Sequence, residues 1–218
     1  MKRLYSISVL LGLAAFANSA SAADSGWYAG VDLGSSNYAV MKPNMTALSQ
    51  DLAQNGLPNT TTESDTATAY GVDVGYQFLR YFAVEGGYTD FGSATGDLNI
   101  NLIPPGTAHI DLHAKGETLF AVGILPVSDS FSFFGKLGIL TYTQDFNGSV
   151  SVAGVGSQTL PKFSDSGTTS GIGVGASWAI NDRFGLRLGF TRFHAVGDEN
   201  NTGQGTIDLG YLQFVVHF

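Results

Sequence analysis

Residues 171–190 read GIGVGASWAINDRFGLRLGF. Bulky and small side chains alternate up to a polar turn at Asn181, Asp182 and Arg183, and resume alternating after it. Before the turn, Ile172, Val174, Ala176, Trp178 and Ile180 share one parity, against Gly171, Gly173, Gly175, Ser177 and Ala179. Successive side chains leave a strand on opposite faces, so this period of two predicts an antiparallel β-hairpin. The pattern recurs through the chain. Eight runs carry it, at 27–35, 66–78, 81–91, 108–125, 131–146, 168–180, 184–196 and 206–218. Most reach the roughly 9–11 residues that cross a bilayer as tilted strands.

The connections fall into two length classes. Residues 79–80, 126–130 and 181–183 are tight, whereas 36–65, 92–107, 147–167 and 197–205 are longer and polar. Short turns at one end, long loops at the other and an even strand count predict an all-β, eight-stranded antiparallel transmembrane barrel with periplasmic turns and external loops. Parity supports lipid outside. Tyr70, Val72, Val74, Tyr76 and Phe78 oppose Ala69, Gly71, Asp73, Gly75 and Gln77, and Leu212, Phe214, Val216 and Phe218 oppose Tyr211, Gln213, Val215 and His217. A soluble barrel of lipocalin type would turn the bulky set inward around a ligand. The continuous apolar band, with Tyr70, Tyr76, Phe78, Tyr88, Phe131, Trp178 and Phe184 near strand ends, favours aromatic girdles in lipid. Eight strands leave an interior that side chains can fill, which accounts for inward glycines and disfavours an open pore.

Composition agrees. Of 218 residues 44% are hydrophobic, only 13% are charged and 29 are glycine, against about 25% charged in ordinary soluble domains. Lys2 and Arg3, an apolar stretch over 7–17 and Ala20-Ser21-Ala22 have the form of a secretory signal peptide, cleaved before Ala23. The chain therefore divides into a signal peptide (1–22) and a barrel (23–218). Its removal leaves eight Lys and Arg against 18 acids, a net charge of −10. That sign excludes nucleic acid as an expected partner. With no cysteine, disulfides, thiolate metal sites and a cysteine nucleophile are excluded too.

The segments WYAGVDLGSS, VGYQFLRYFAVEGGYTDFG, FFGKLGILTYT and GVGASWAINDRFGLRLGF, with the terminal Phe218, resemble the OmpA-like transmembrane domain and its porin-family relatives over essentially the whole mature chain. The resemblance implies a bacterial outer-membrane location, in contact with outer-membrane lipid and lipopolysaccharide. Larger members add a peptidoglycan-binding domain after the barrel, and no cell-wall tether is expected here. The end LGYLQFVVHF matches the family's assembly signal, which implies that Phe218 is read by the barrel-assembly machinery.

Parity places Asp73, Glu85, Lys115, Glu117, Lys136 and Arg187 inside, with Asp73, Glu85, Lys136 and Arg187 near mid-depth. Buried charges persist only when paired, so Glu85 is expected to pair with Arg187, and Asp73 with Lys136. In the family an inward glutamate and arginine close the lumen and have been considered a gate; Glu85 and Arg187 match those positions. Val122 and Ser177 stand where the family has a lysine and a glutamate, which counts against a partner-switching gate.

The residues offer little chemistry. His194 lacks a serine two positions on, where Val196 stands, and His217 is near the chain end. His109, Asp111 and His113 are expected on one inward face, but span about 13 Å along a strand, too far for one ion. No enzyme activity, cofactor or metal is expected. The loops are acidic, with Asp51, Glu63, Asp65, Asp97, Asp165, Asp198 and Glu199. The expected function is that of a small outer-membrane barrel with a largely plugged lumen, serving envelope integrity or surface interaction, with a host or phage surface as possible ligand of the loops. The alternative is a narrow porin, and a lipid-modifying enzyme ranks third.

Overall fold

The computed structural model describes residues 25–39, 41–101, 103–197 and 204–218. The signal-peptide reading of 1–22 and the acidic pair Asp198 and Glu199 lie outside the described residues. Ten strands and one helix are present among the described residues: β1 (Gly26–Tyr38), α1 (Met41–Gln54), β2 (Asn59–Ser64), β3 (Thr66–Leu79), β4 (Phe82–Ile100), β5 (Gly106–Pro126), β6 (Phe131–Val152), β7 (Gly156–Thr159), β8 (Phe163–Ala179), β9 (Phe184–Val196) and β10 (Gly205–His217). Eight of them close a ring in the order β4-β3-β1-β10-β9-β8-β6-β5, with β5 pairing back onto β4. Every pairing is antiparallel, and β1 meets β10 from Tyr28↔His217 to Tyr38↔Ile207.

The predicted outward set is outward. Trp27, Leu33, Val72, Leu137, Val174, Trp178, Leu188 and Leu212 are all more than half exposed. A belt of that extent would not survive in water, so it identifies the lipid-facing wall and removes the lipocalin alternative. The belt ends at different heights along the chain. On β5 the outward residues change from Leu125, Ala121 and Leu119 to Glu117, Lys115, His113, Asp111 and His109, while β6 changes from Leu137 and Ile139 to Thr141, Thr143 and Asp145. Above that level β4, β5, β6 and β8 continue as a polar wall.

Two expectations need correcting here. Lys115 and Glu117 face out, above the belt, because β5 alternates without interruption from Val122, which is inward. The segments 36–65 and 147–167 are not plain loops. The first holds α1 and β2, and the second holds β7 and the upper part of β8. Their Ser and Thr residues keep strand geometry while erasing the apolar signal that periodicity needs. In α1, Met45, Leu48 and Leu52 recur at helical spacing, and Met45 is buried against Gly96. The helix stops at Gly56 (φ 78°), where Leu57 N–H reaches Leu52 O and Gly56 N–H reaches Ala53 O, a Schellman end that uses glycine's access to positive φ.

The inward glycines have a more specific reason than narrowness. Across the ladders Tyr28 pairs with Gly75, Tyr211 with Gly189, Phe134 with Gly175, Phe120 with Gly138 and Phe193 with Gly171. In each case a Cβ on the glycine would fall within 3 Å of the partner ring. Glycine lets each ring lie flat on the neighbouring strand.

Gly75→Ala should therefore lower stability by about 1–3 kcal/mol, because its Cβ would stand 2.1 Å from Tyr28 Cζ. Gly210→Ala, with nothing within 4 Å of the new Cβ, should be close to neutral. Urea midpoints of the detergent-refolded barrel distinguish the two.

Candidate functional site: the charged lumen

β1, β3, β4, β6, β9 and β10 each direct one or more polar side chains to mid-depth inside the ring. Glu85 is 3% exposed, Asp73 and Arg187 8% each, so every charge here must find a partner within the protein. Arg187 Nη1 donates to Glu85 Oε2 at 2.9 Å, and Lys136 Nζ lies 3.8 Å from Glu85 Oε1. Tyr28 donates its hydroxyl to Glu85 Oε2 at 3.0 Å. One carboxylate thus holds both cations and a phenol.

The expected pair of Asp73 with Lys136 is not the contact formed. Lys136 turns to Glu85, between the Phe120 and Tyr211 rings at 4.6 and 4.8 Å from their centroids. Asp73 instead accepts from Gln213 Nε2 at 2.9 Å, while Gln213 Oε1 accepts from Arg187 Nη1 at 3.3 Å. Gln213 couples the two halves of the cluster. Arg187 is flanked in turn by Tyr28 and Phe134, with Cζ 4.5 and 5.8 Å from the ring centroids. A desolvated guanidinium or ammonium gains from facing the negative surface of an aromatic ring.

Four members of this cluster are absent from the charge reading of the sequence: Tyr28, Asp32, Tyr211 and Gln213. Each has inward parity in its strand, Asp32 between outward Val31 and Leu33. Parity applied to every polar residue, not only to oppositely charged ones, would have found them. Asp32 lies across from Gln213 and carries a buried Oδ1 without a hydrogen-bond partner among the described residues.

The cluster separates two unlike compartments. On the short-turn side lies a vestibule of about 480 Å³, lined by Arg80, Ile124, Phe134, Ser177, Arg187 and His217 among others. On the long-loop side the lumen is filled by apolar side chains: Phe91, Leu140 and Phe193 are at most 1% exposed, with Tyr38 and Tyr142 close behind. The Phe91 and Phe193 rings meet edge-on with centroids 5.3 Å apart. Tyr38 hydroxyl donates to Gly92 O at 2.6 Å. Beyond the salt bridge, these rings are packed together with buried Ser36, Gln144 and Thr191.

The histidines are placed differently from the expectation. His109 and His113 face out, not in, above the lipid belt, and each is held by a carboxylate of β4: His109 Nδ1 by Asp97 at 2.7 Å, His113 Nε2 by Asp90 at 2.8 Å. Burial pushes the Asp90 carboxyl up, but the Gly92 N–H, the His113 ring and the Tyr70 hydroxyl together hold it below the usual carboxylate range. No group of three or more His, Cys, Asp or Glu among the described residues is arranged to hold a metal.

Glu85→Gln leaves both cations without their carboxylate, so it should cost about 3–5 kcal/mol. Lys136→Met keeps the shorter Glu85–Arg187 bridge, 2.9 Å against 3.8 Å for Lys136, and should cost less. Equal shifts in unfolding midpoint for the two variants would contradict the shared role of Glu85.

Comparison with known proteins places this architecture. The sequence model of the OmpA-like transmembrane domain matches residues 22–218. The chain is 26% identical over 201 residues to outer membrane protein A of Klebsiella pneumoniae, an alignment that covers 90% of this chain and 53% of that protein. The chain thus spans about half the length of that relative. Among solved structures, Neisserial surface protein A superposes with a TM-score of 0.49 at 11% identity, covering 88% of this chain and 97% of that one. The N-terminal barrel of Pseudomonas aeruginosa OprF gives 0.46 at 11% identity, with 88% and 97% coverage.

Proposed function

We propose that this chain, which belongs to the OmpA-like transmembrane domain family and is therefore a β-barrel of the bacterial outer membrane, works as a closed scaffold whose function lies at its outer surface. It serves envelope integrity or surface interaction, not passage of solutes and not catalysis. The observation that carries this reading is the double closure of the lumen. Beneath the outer mouth, Phe91, Leu140 and Phe193 are buried inside the ring. Below them Glu85, Arg187, Lys136 and Asp73 form an ionic plug knit together by Gln213 and Tyr28. Opening the salt bridge alone would expose the apolar layer to water without making a continuous aqueous path.

The vestibule favours a second reading, a narrow porin. It brings solvent from the periplasmic side up to Arg187, so half a channel already exists. The two readings differ in conductance. Refolded barrel in a planar bilayer should be silent or show only rare, small openings, and Glu85→Ala should not convert it to a steady conductor. Steady conductance of the unaltered protein would promote the porin.

The outer wall contacts lipid and lipopolysaccharide through the belt and the polar rows above it. Phe218 closes the ring: it is outward and half-exposed, and its N–H donates to Trp27 O at 2.9 Å. We assign it as the residue read by the barrel-assembly machinery. Deleting Phe218 should reduce the amount of protein in the outer membrane several-fold while leaving export unchanged. Unchanged outer-membrane levels would remove the signal role.

A further inference from the structure

Above the lipid belt, β2 on β4, β7 on β6, and the upper part of β8 on β6 are among the stretches of strand with a hydrogen-bonded neighbour on one side only among the described residues. Unpaired edges invite another strand, and proteins blunt them by brevity, by cover, or with Pro and Lys. β7 is short, with four residues. β2 is packed against α1, where Ser49 Oγ donates to Asn59 Oδ1 at 2.6 Å and Asn59 Nδ2 donates to Ser49 O at 3.1 Å. β8 has neither device. It pairs with β6 from Phe163 upward in sequence without a register shift, yet meets β9 only from Gly171↔Phe193 onward. Pro161 and Lys162 precede the strand, and residues 163–170 contain neither Pro nor Lys.

The direction of the free backbone groups follows from the ends of β8. Ala179 N–H donates toward β6, to Ser130 O at 2.8 Å, and Ile180 N–H donates the other way, to Phe184 O at 2.9 Å. Backbone groups alternate sides along an antiparallel strand. Odd-numbered residues of β8 therefore face β6, and Ser164, Ser166 and Thr168 turn N–H and C=O to the open side. Their side chains point outward, on the face of Ile172 and Val174. The cross-strand row Leu119–Ile139–Ser170 is the last with apolar members, and the next row, Glu117–Thr141–Thr168, is the first polar one. The open edge starts about 7 Å along the strand above the lipid.

We propose that the upper edge of β8, at Ser164, Ser166 and Thr168, is a docking edge that takes an extended, basic segment of a partner polypeptide as an additional strand. Main-chain hydrogen bonds would supply affinity, and charge supplies the choice of partner. Asp165 lies on the strand itself, and Asp145 lies directly across from Ser164. Asp111 stands in the same outward groove, where Lys162 is the one cation among the lining residues. A second copy fits poorly. Two barrels in one membrane are related by an axis along the membrane normal, which keeps strand direction unchanged and brings Asp165 to face Asp165. This inference rests on the surface-interaction reading above and names its place and partner chemistry.

The test uses the full mature chain in lipid nanodiscs with a short alternating Lys-Val peptide as probe, read by amide hydrogen exchange at Ser164, Ser166 and Thr168. Saturating peptide should slow exchange at those amides by at least about tenfold. A Glu-Val peptide, or the Lys-Val peptide interrupted by proline, should give no protection. Ser166→Pro removes a donor that faces the open side, where proline is tolerated, and should fold normally by heat-dependent gel mobility yet lose the protection. Should that variant fail to fold, Asp145→Asn with Asp165→Asn provides the second arm, weakening the peptide several-fold. Equal protection by the acidic peptide, no protection by the basic one, or amides already slow in the free protein would overturn the proposal. Free-protein protection that grows with barrel density would assign the edge to a second copy, which also overturns it. A conducting lumen would sink the closed-scaffold reading without touching this result, so the two failures are distinguishable.

Discussion

The structure depends on one constraint of register: inside the eight-stranded ring, Tyr28, Phe120, Phe134, Phe193 and Tyr211 each lie over a cross-strand glycine, where a Cβ would collide with the ring. Tyr28 over Gly75, Phe134 over Gly175 and Tyr211 over Gly189 satisfy it at different points of the circumference. The same pairs that fill the lumen therefore also fix how the strands align. A slip by one residue would turn each ring into lipid and each lipid-facing leucine into the interior. Packing and topology are set by one set of contacts.

The charges rely on those rings. Arg187 and Lys136 are held near Glu85 with aromatic faces on either side, in place of the water that would otherwise solvate them. Removing two cations and three inward carboxylates from water is costly, and a lone salt bridge would not offset it. Shared partners make the arrangement tolerable: Glu85 serves Arg187, Lys136 and Tyr28, and Gln213 links Arg187 to Asp73. The vestibule reaches this cluster at Arg187, and Phe91, Leu140 and Phe193 lie buried on its other side.

Outside the lipid the barrel is lopsided. β4, β5 and β6 are 19, 21 and 22 residues long, whereas β9 and β10 have 13 each. Long strands beside short ones leave a wall with an open side, and that asymmetry makes one edge of β8 available while the transmembrane ring has no edges. The wall was hidden from periodicity because Thr141, Thr143, Ser164, Ser166 and Thr168 replace the apolar half of the alternation. Lys115 and Glu117 look inward by charge for a related reason: once lipid ends, a charged residue can face outward into water.

Alternation over 171–190 and its counterparts determined the eight strands of the ring, the lipid-facing side and the inward position of Glu85, Arg187, Asp73 and Lys136, because side-chain parity is a local property of an extended chain. Which inward residues meet was decided only by tertiary structure. Strand tilt and stagger bring together groups far apart in sequence, so Lys136 reaches Glu85 and not Asp73, and Gln213 and Tyr28 join the cluster as neutral bridges. The height of each strand above the membrane was likewise settled by pairing with its neighbours, since β-sheet hydrogen bonds continue past the point where the hydrophobic pattern ends.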